Sequence, residues 1–140
     1  MKDAIDLVND VRALINIPMI TSQITGKVWA DERWDDTSKT DVVVSSTGIV
    51  NTVIQVGYAN VNIYTPSEKL AYGGKDKLYP PRQELKRISN LLIPLIESKV
   101  TSTFKTSVDE AGLIMRDTDG SWFMNIRVRY QSLQSNYKNI

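Results

Sequence analysis

The chain contains neither cysteine nor histidine in its 140 residues. Without cysteine there is no disulfide framework, no thiolate nucleophile and no cysteine-based metal site. Without histidine the commonest general base, the commonest zinc ligand and every triad built on imidazole are gone. No apolar run approaches the roughly 18 residues that a membrane-spanning helix needs. Charge of one sign is also missing: 17 basic against 16 acidic residues leave a net +1, so bulk electrostatics do not point to nucleic acid. There is no internal repeat and no low-complexity tract.

What is present is an ordinary globular balance, 41% hydrophobic and 24% charged. The length suits one domain with a real core. We expect that domain over residues 1–131, followed by a polar tail at 132–140. Met1-Lys2-Asp3 enters a helical pattern at once, without a signal-peptide layout. The expectation is a soluble protein made in the cytoplasm, with no membrane partner.

Ala4, Leu7, Val8, Val11, Leu14 and Ile15 recur at i, i+3, i+4, i+7, one face of a helix over Asp3 to Ile17. Asp3 suits its N-cap and Pro18 its stop. Met19-Ile20 is a short apolar patch, Gly26 marks a turn, and Lys27-Val28-Trp29 can open a strand. Ala30 to Asp41 holds five acidic residues against Arg33 and Lys39, five minus two giving a local charge near −3, and reads as an exposed loop. Val42-Val43-Val44 is β-branched and strand-like, and Gly48 marks a turn or bulge after it.

The longest strand pattern, within Ile49 to Tyr64, changes phase. Ile54, Val56 and Tyr58 share one face, Val61 and Ile63 the other, which predicts either cover on both faces or a bulge near Gly57. Pro66 to Pro80 shows no clear period and reads as a long loop. Pro81 suits a first helical position, and Leu85, Ile88, Leu91, Leu92, Leu95 and Ile96 give a strong helical stripe containing Pro94. Phe104 to Val108 and Gly112 to Met115 read as two strands. After the turn at Asp117-Thr118-Asp119-Gly120, Trp122, Met124, Ile126, Val128 and Tyr130 alternate with polar residues. The fold class expected is α+β: a small, mainly antiparallel sheet with an N-terminal helix and a second helix packed on one face.

Several groupings were weighed for chemistry. Asp31, Glu32, Asp35 and Asp36 lack the glycine and closing glutamate of a calcium loop, and a solvated loop explains them better than a metal site. Lys69, Lys75, Lys77, Arg82, Lys86 and Arg87, interleaved with Tyr72 and Tyr79, could stack and neutralise a nucleic acid, or form the basic half of a subunit contact. Gly73-Gly74-Lys75 lacks the spacing of a phosphate loop. Trp122 belongs by default to the core, whereas Trp34, between Arg33 and Asp35, suits an interface. A hydrolase working through a pair of carboxylates stays open, although nothing brings two of them together. No catalytic, cofactor-binding or metal-binding residue is assigned.

The order of elements carries a resemblance. After an N-terminal helix come Gly26-Lys27-Val28-Trp29, then Val42-Val43-Val44. Next are Ile54-Gln55-Val56-Gly57-Tyr58 and Val61-Asn62-Ile63-Tyr64, the helix Leu85–Ile96, and a closing hairpin with Asp119-Gly120-Ser121-Trp122. In layout the chain resembles the tail terminator, or tail completion, proteins of long-tailed bacteriophages. Its longer Pro66–Pro80 segment and more acidic Ala30–Asp41 segment depart from that pattern.

The resemblance implies a structural virion protein rather than an enzyme. Such a protein forms a ring, commonly a hexamer, at the head-proximal end of the tail, where it ends tube polymerisation and joins tail to head. It implies tail tube and head–tail connector proteins as partners, DNA passing through the lumen without specific binding, and assembly in the host cytoplasm. A neck or head–tail connector ring is the near alternative, and a small nucleic-acid-binding module the alternative of another class. Acidic and basic regions on one subunit suit a head-to-tail contact that closes a ring. The interface residues expected on that reading are Trp34, Asp35, Asp36, Lys69, Tyr72, Lys75, Lys77 and Tyr79.

Overall fold

The computed structural model describes residues 1–33, 38–50, 52, 54–72, 75–118 and 121–133, the strand residues 68–72 and 75–78 by their backbone. Helix α1 (Ala4–Ile15) starts where the sequence places its cap. Asp3 accepts from the Asp6 amide and Asp6 accepts from the Asp3 amide, so two of the helix's orphan N–H groups are satisfied reciprocally. α1 stops at Ile15 with Asn16 as its C-cap, short of the expected Ile17, and Pro18 instead opens a one-turn helix, α2 (Pro18–Thr21), that carries Met19 and Ile20.

Strand β1 (Val28–Ala30) then pairs in parallel with β2 (Asp41–Ile49), which pairs antiparallel with β3 (Val56–Thr65). A two-stranded hairpin, β4 (Glu68–Tyr72) and β5 (Lys75–Tyr79), stands apart from the main sheet. Helix α3 (Arg82–Ile96) follows, then a short β6 (Lys99–Val100), the long β7 (Phe104–Arg116) and β8 (Trp122–Ser132). The main sheet runs β1-β2-β3-β8-β7-β6, mixed through its one parallel pair, and it curls. The α+β class is therefore right, with a larger and less uniform sheet than expected.

Both long helices cover one sheet face. Leu7, Val11 and Ile15 of α1 and Leu85, Ile88, Leu92 and Ile96 of α3 form a single cluster with Val42, Val61, Ile63, Ile126 and Val128, all fully buried. The closing-strand and helix-stripe residues thus meet as their periodicities require. Tyr130, also fully buried, stacks on Phe104 at 5.3 Å and donates its hydroxyl to Asp10 at 2.5 Å. Lys2, just before α1, sits 3.1 Å from the same carboxylate, and the charged acceptor strengthens the Tyr130 hydrogen bond that ties α1 to β8. Burial and the adjacent Asp10 push the tyrosine hydroxyl far above its ordinary pKa.

The phase change read in Ile49–Tyr64 has a different cause from the one expected. β3 begins only at Val56, and Ile54 lies outside it, largely exposed. Within β3 the alternation is regular: Gly57, Ala59, Val61, Ile63 and Thr65 face the helices. The bulge lies across the ladder in β2, between Ser46 and Gly48. Gly57 is small because α1 crosses there; a Cβ would stand 2.7 Å from Leu7 Cδ1 and 2.6 Å from the Gly48 carbonyl oxygen.

Other expectations need correction. Pro66–Pro80 is not a loop; the β4–β5 hairpin occupies it. Its alternation is masked by the lysines and acids that interrupt the apolar positions. Phe104–Val108 and Gly112–Met115 are one strand, whose two irregularities, between Val108 and Glu110 and between Ala111 and Leu113, break the sequence pattern. Pro81 caps α3 rather than opening it, and the helix continues past Pro94 to Ile96. Trp122 is only half-buried. Ser132 is a buried residue of β8, so the domain reaches at least to it; residues 134–140 lie outside the described set, as do Asp119 and Gly120 of the closing turn. Among the described residues no helix is long and apolar enough to cross a membrane.

Candidate functional site

Three features of the surface go beyond what a packed core requires. The first is a buried polar knot around Asp41, which the sequence reading assigned to an exposed acidic loop. Asp41 instead opens β2 at 3% exposure. Its Oδ1 accepts from the Lys27 amide and from the Trp29 indole, each at 2.8 Å, and its Oδ2 lies 3.7 Å from the Arg33 guanidinium. Arg33 in turn lies over the Tyr64 ring at 4.4 Å and donates to the Ser121 hydroxyl at 3.1 Å. Gly26 is required beside it, because a Cβ there would fall 1.9 Å from the Asp41 carboxylate oxygen. The Gly26-Lys27-Val28-Trp29 motif is thus the frame of a charged clamp that fixes the parallel β1–β2 register. Asp31 and Glu32 are exposed and separate from it, and among the described residues no acidic group has the makings of a metal site.

The second feature is the face of the sheet that carries no helix. Tyr58, Asn60, Asn62 and Tyr64 of β3 lie beside Phe123, Asn125, Arg127 and Arg129 of β8. The Asn125 amide donates to both Asn60 and Asn62, at 3.1 and 2.8 Å. Tyr64 and Phe123 stack at 4.9 Å, and Arg127 lies 4.3 Å over Tyr58. Two of these aromatic faces already carry a guanidinium, which disfavours their use as platforms for bases.

The third feature joins the basic region to an open sheet edge. Five of the residues expected at an interface are brought together in the hairpin: Lys69 and Tyr72 in β4, and Lys75, Lys77 and Tyr79 in β5. Trp34, Asp35 and Asp36 lie outside the described residues. The hairpin's substantial packing is between its own two strands. An isolated two-stranded ribbon is marginal in water, so it needs a surface to lie on.

Beyond the hairpin, Arg82 and Lys86 rim a groove of about 750 Å³ between α3 and β7, floored by Ile93, Ala111, Ile114 and Met124. Arg87 is held at its side, donating to both Glu84 oxygens and to Gln23, and the Arg87 hydrogen bonds keep the Glu84 carboxyl below its usual range. The sequence reading counted Arg82, Lys86 and Arg87 as a basic region. It missed the apolar floor, because the partners come from β7 and β8, 20 or more positions away.

That groove borders the unpaired edge of β7. β6 covers only Lys105 and Thr106, and Glu97 Oε2 accepts from the Val108 amide at 3.1 Å. From Asp109 to Arg116 the outer side of β7 meets no strand among the described residues. Leu113 and Met115 on this stretch are 49% and 36% exposed. At the opposite margin β1 covers only Val42 to Val44, and from Ser45 to Ile49 β2 meets no outer strand among the described residues. Among the described residues the sheet therefore has an open stretch at each of its two margins. No family model matches the chain, and no curated protein matches it significantly.

Proposed function

We propose that this protein is a structural ring subunit of a long-tailed phage, placed at the head-proximal end of the tail to end tube polymerisation and join tail to head. The observation that carries the ring is the pair of sheet edges left open among the described residues, at the two margins of one subunit's sheet, together with a hairpin whose substantial packing is between its own two strands. Unlike surfaces at opposite ends make a head-to-tail contact, and such contacts close into rings when the rotation allows. The order of helix, strands, projecting hairpin, helix and closing strand pair supports the terminator reading within that class.

A catalytic reading has less to stand on. The groove beside α3 is rimmed by cations and floored by apolar side chains, with no carboxylate pair in it among the described residues. Its chemistry is that of a contact: an apolar floor, a charged rim and a strand edge with spare hydrogen-bonding groups.

Negative-stain images of the purified protein test the ring. We expect rings of a single stoichiometry at micromolar subunit concentration. A population of monomers only, at every concentration up to the solubility limit, removes this reading.

A further inference from the structure

The hairpin and the open edge of β7 are two unfinished pieces of sheet in one subunit. Each presents backbone N–H and C=O groups that its own chain leaves without a strand partner among the described residues. Burying such groups requires a partner strand, and leaving them bare on a flat apolar edge invites one. We infer that the β4–β5 hairpin of one subunit docks on the β7 edge of its neighbour, as added strands, with its apolar residues over the groove between α3 and β7. This deepens the ring reading and rests on it.

Three observations select this contact. The regular part of the β7 edge is Leu113 to Arg116, beyond the second irregularity, where pairing resumes without a shift. A ribbon needs only a stretch of this length to gain a few ladder bonds. The bare edge of β2 is a worse acceptor, because its bulge between Ser46 and Gly48 falls within the stretch that β1 leaves open. Second, apolar surface flanks this edge on both faces: Leu113 and Met115 are exposed on the helix-free face, and Ile93, Ala111 and Ile114 line the groove on the helix side. By register the hairpin places Leu70, Tyr72 and Tyr79 at positions of one face and Ala71 and Leu78 at positions of the other, so each face has apolar residues to offer. Third, both surfaces carry both signs: Lys69, Lys75 and Lys77 with Glu68 and Asp76 in the hairpin, and Asp109 and Glu110 on β7 with Arg82 and Lys86 on the groove rim, so unlike charges can meet in either direction. The contact is heterologous, since the donor and acceptor surfaces differ, and every subunit carries one of each.

The test uses the full chain, whose lack of cysteine makes any introduced thiol unique. Subunits carrying only Met115→Cys are mixed with subunits carrying only Lys77→Cys, assembled, and treated with a short bismaleimide. We expect the mixed dimer to dominate over either like pair. A second variant, Leu113→Lys with Met115→Lys, places lysines on the exposed edge. It should raise the subunit concentration needed for assembly about tenfold or more, with the melting temperature unchanged. Rings that form without the mixed cross-link overturn this contact and leave the ring reading standing. So do rings in which a chain bearing both cysteines links only to itself. Retained rings in the lysine variant with loss of binding to a tube protein would assign the edge to that axial partner instead, and overturn the contact. A chain that never forms rings defeats both readings together.

Discussion

Ile126→Asp leaves the chain unfolded at room temperature. Ile126 is fully buried at the centre of the sheet, in register with Val61 on one side and Ala111 on the other, beneath the helices. Losing the side chain alone costs about 2–5 kcal/mol through transfer and cavity effects. The carboxylate adds several kcal/mol more for an unpaired charge, or for the proton it must bind to avoid one. Against a total stability of about 5–15 kcal/mol, nothing is left. Ile126→Val keeps the shape and should cost only about 0.5–1.5 kcal/mol. Far-UV circular dichroism and urea titration check both. A soluble Ile126→Asp protein that melts with the wild type would put the helices on the other face of the sheet.

Asp41→Ala has the second-largest effect, at a residue that looks like one more acid in a polar stretch. It strips the acceptor from the Lys27 amide and the Trp29 indole and removes the carboxylate beside Arg33, whose side chain is 9% exposed. Breaking a buried charge pair from one side costs about 3–5 kcal/mol, because the partner stays buried. For a chain of this size the melting temperature should fall by roughly 10–15 °C. Asp41→Asn keeps an acceptor and should lose less. The loss should localise: amide exchange should speed up in Val28–Ala30 and Val42–Val44 before the β7–β8 ladder responds. Equal stability of Asp41→Ala and wild type would mean that the knot does not hold the β1–β2 register.

Both effects show how unevenly the fold could be read from the chain. Residues whose burial follows a period were legible: the α1 and α3 stripes and the β8 alternation each point one face at the same core. Asp3 was legible as a cap because capping is local. Asp41 was not, since what separates a buried acid from a solvated one is Arg33 and Trp29 folding back on it. β7 was split in two because each of its irregularities resets the alternation that identifies a strand. The hairpin was hidden because lysines and acids interrupt the apolar positions on both of its faces, so no period-2 signal stands out. Strand pairing is what puts Tyr72, Lys75, Lys77 and Tyr79 at positions of one ribbon face, with Lys69 on the other, rather than scattering them along a loop.

The central claim is that this ring ends a growing tube, and tube length measures it most directly. On the proposed reading, the tail tube protein of the phage that would encode this chain is polymerised alone and with increasing amounts of the purified assembly, and lengths are read from micrographs. The account predicts shorter tubes as ring is added, with ring density at one end only and no further growth from that end when fresh tube protein is supplied. Tubes of unchanged length that keep growing from both ends, beside rings that attach nowhere, would contradict it.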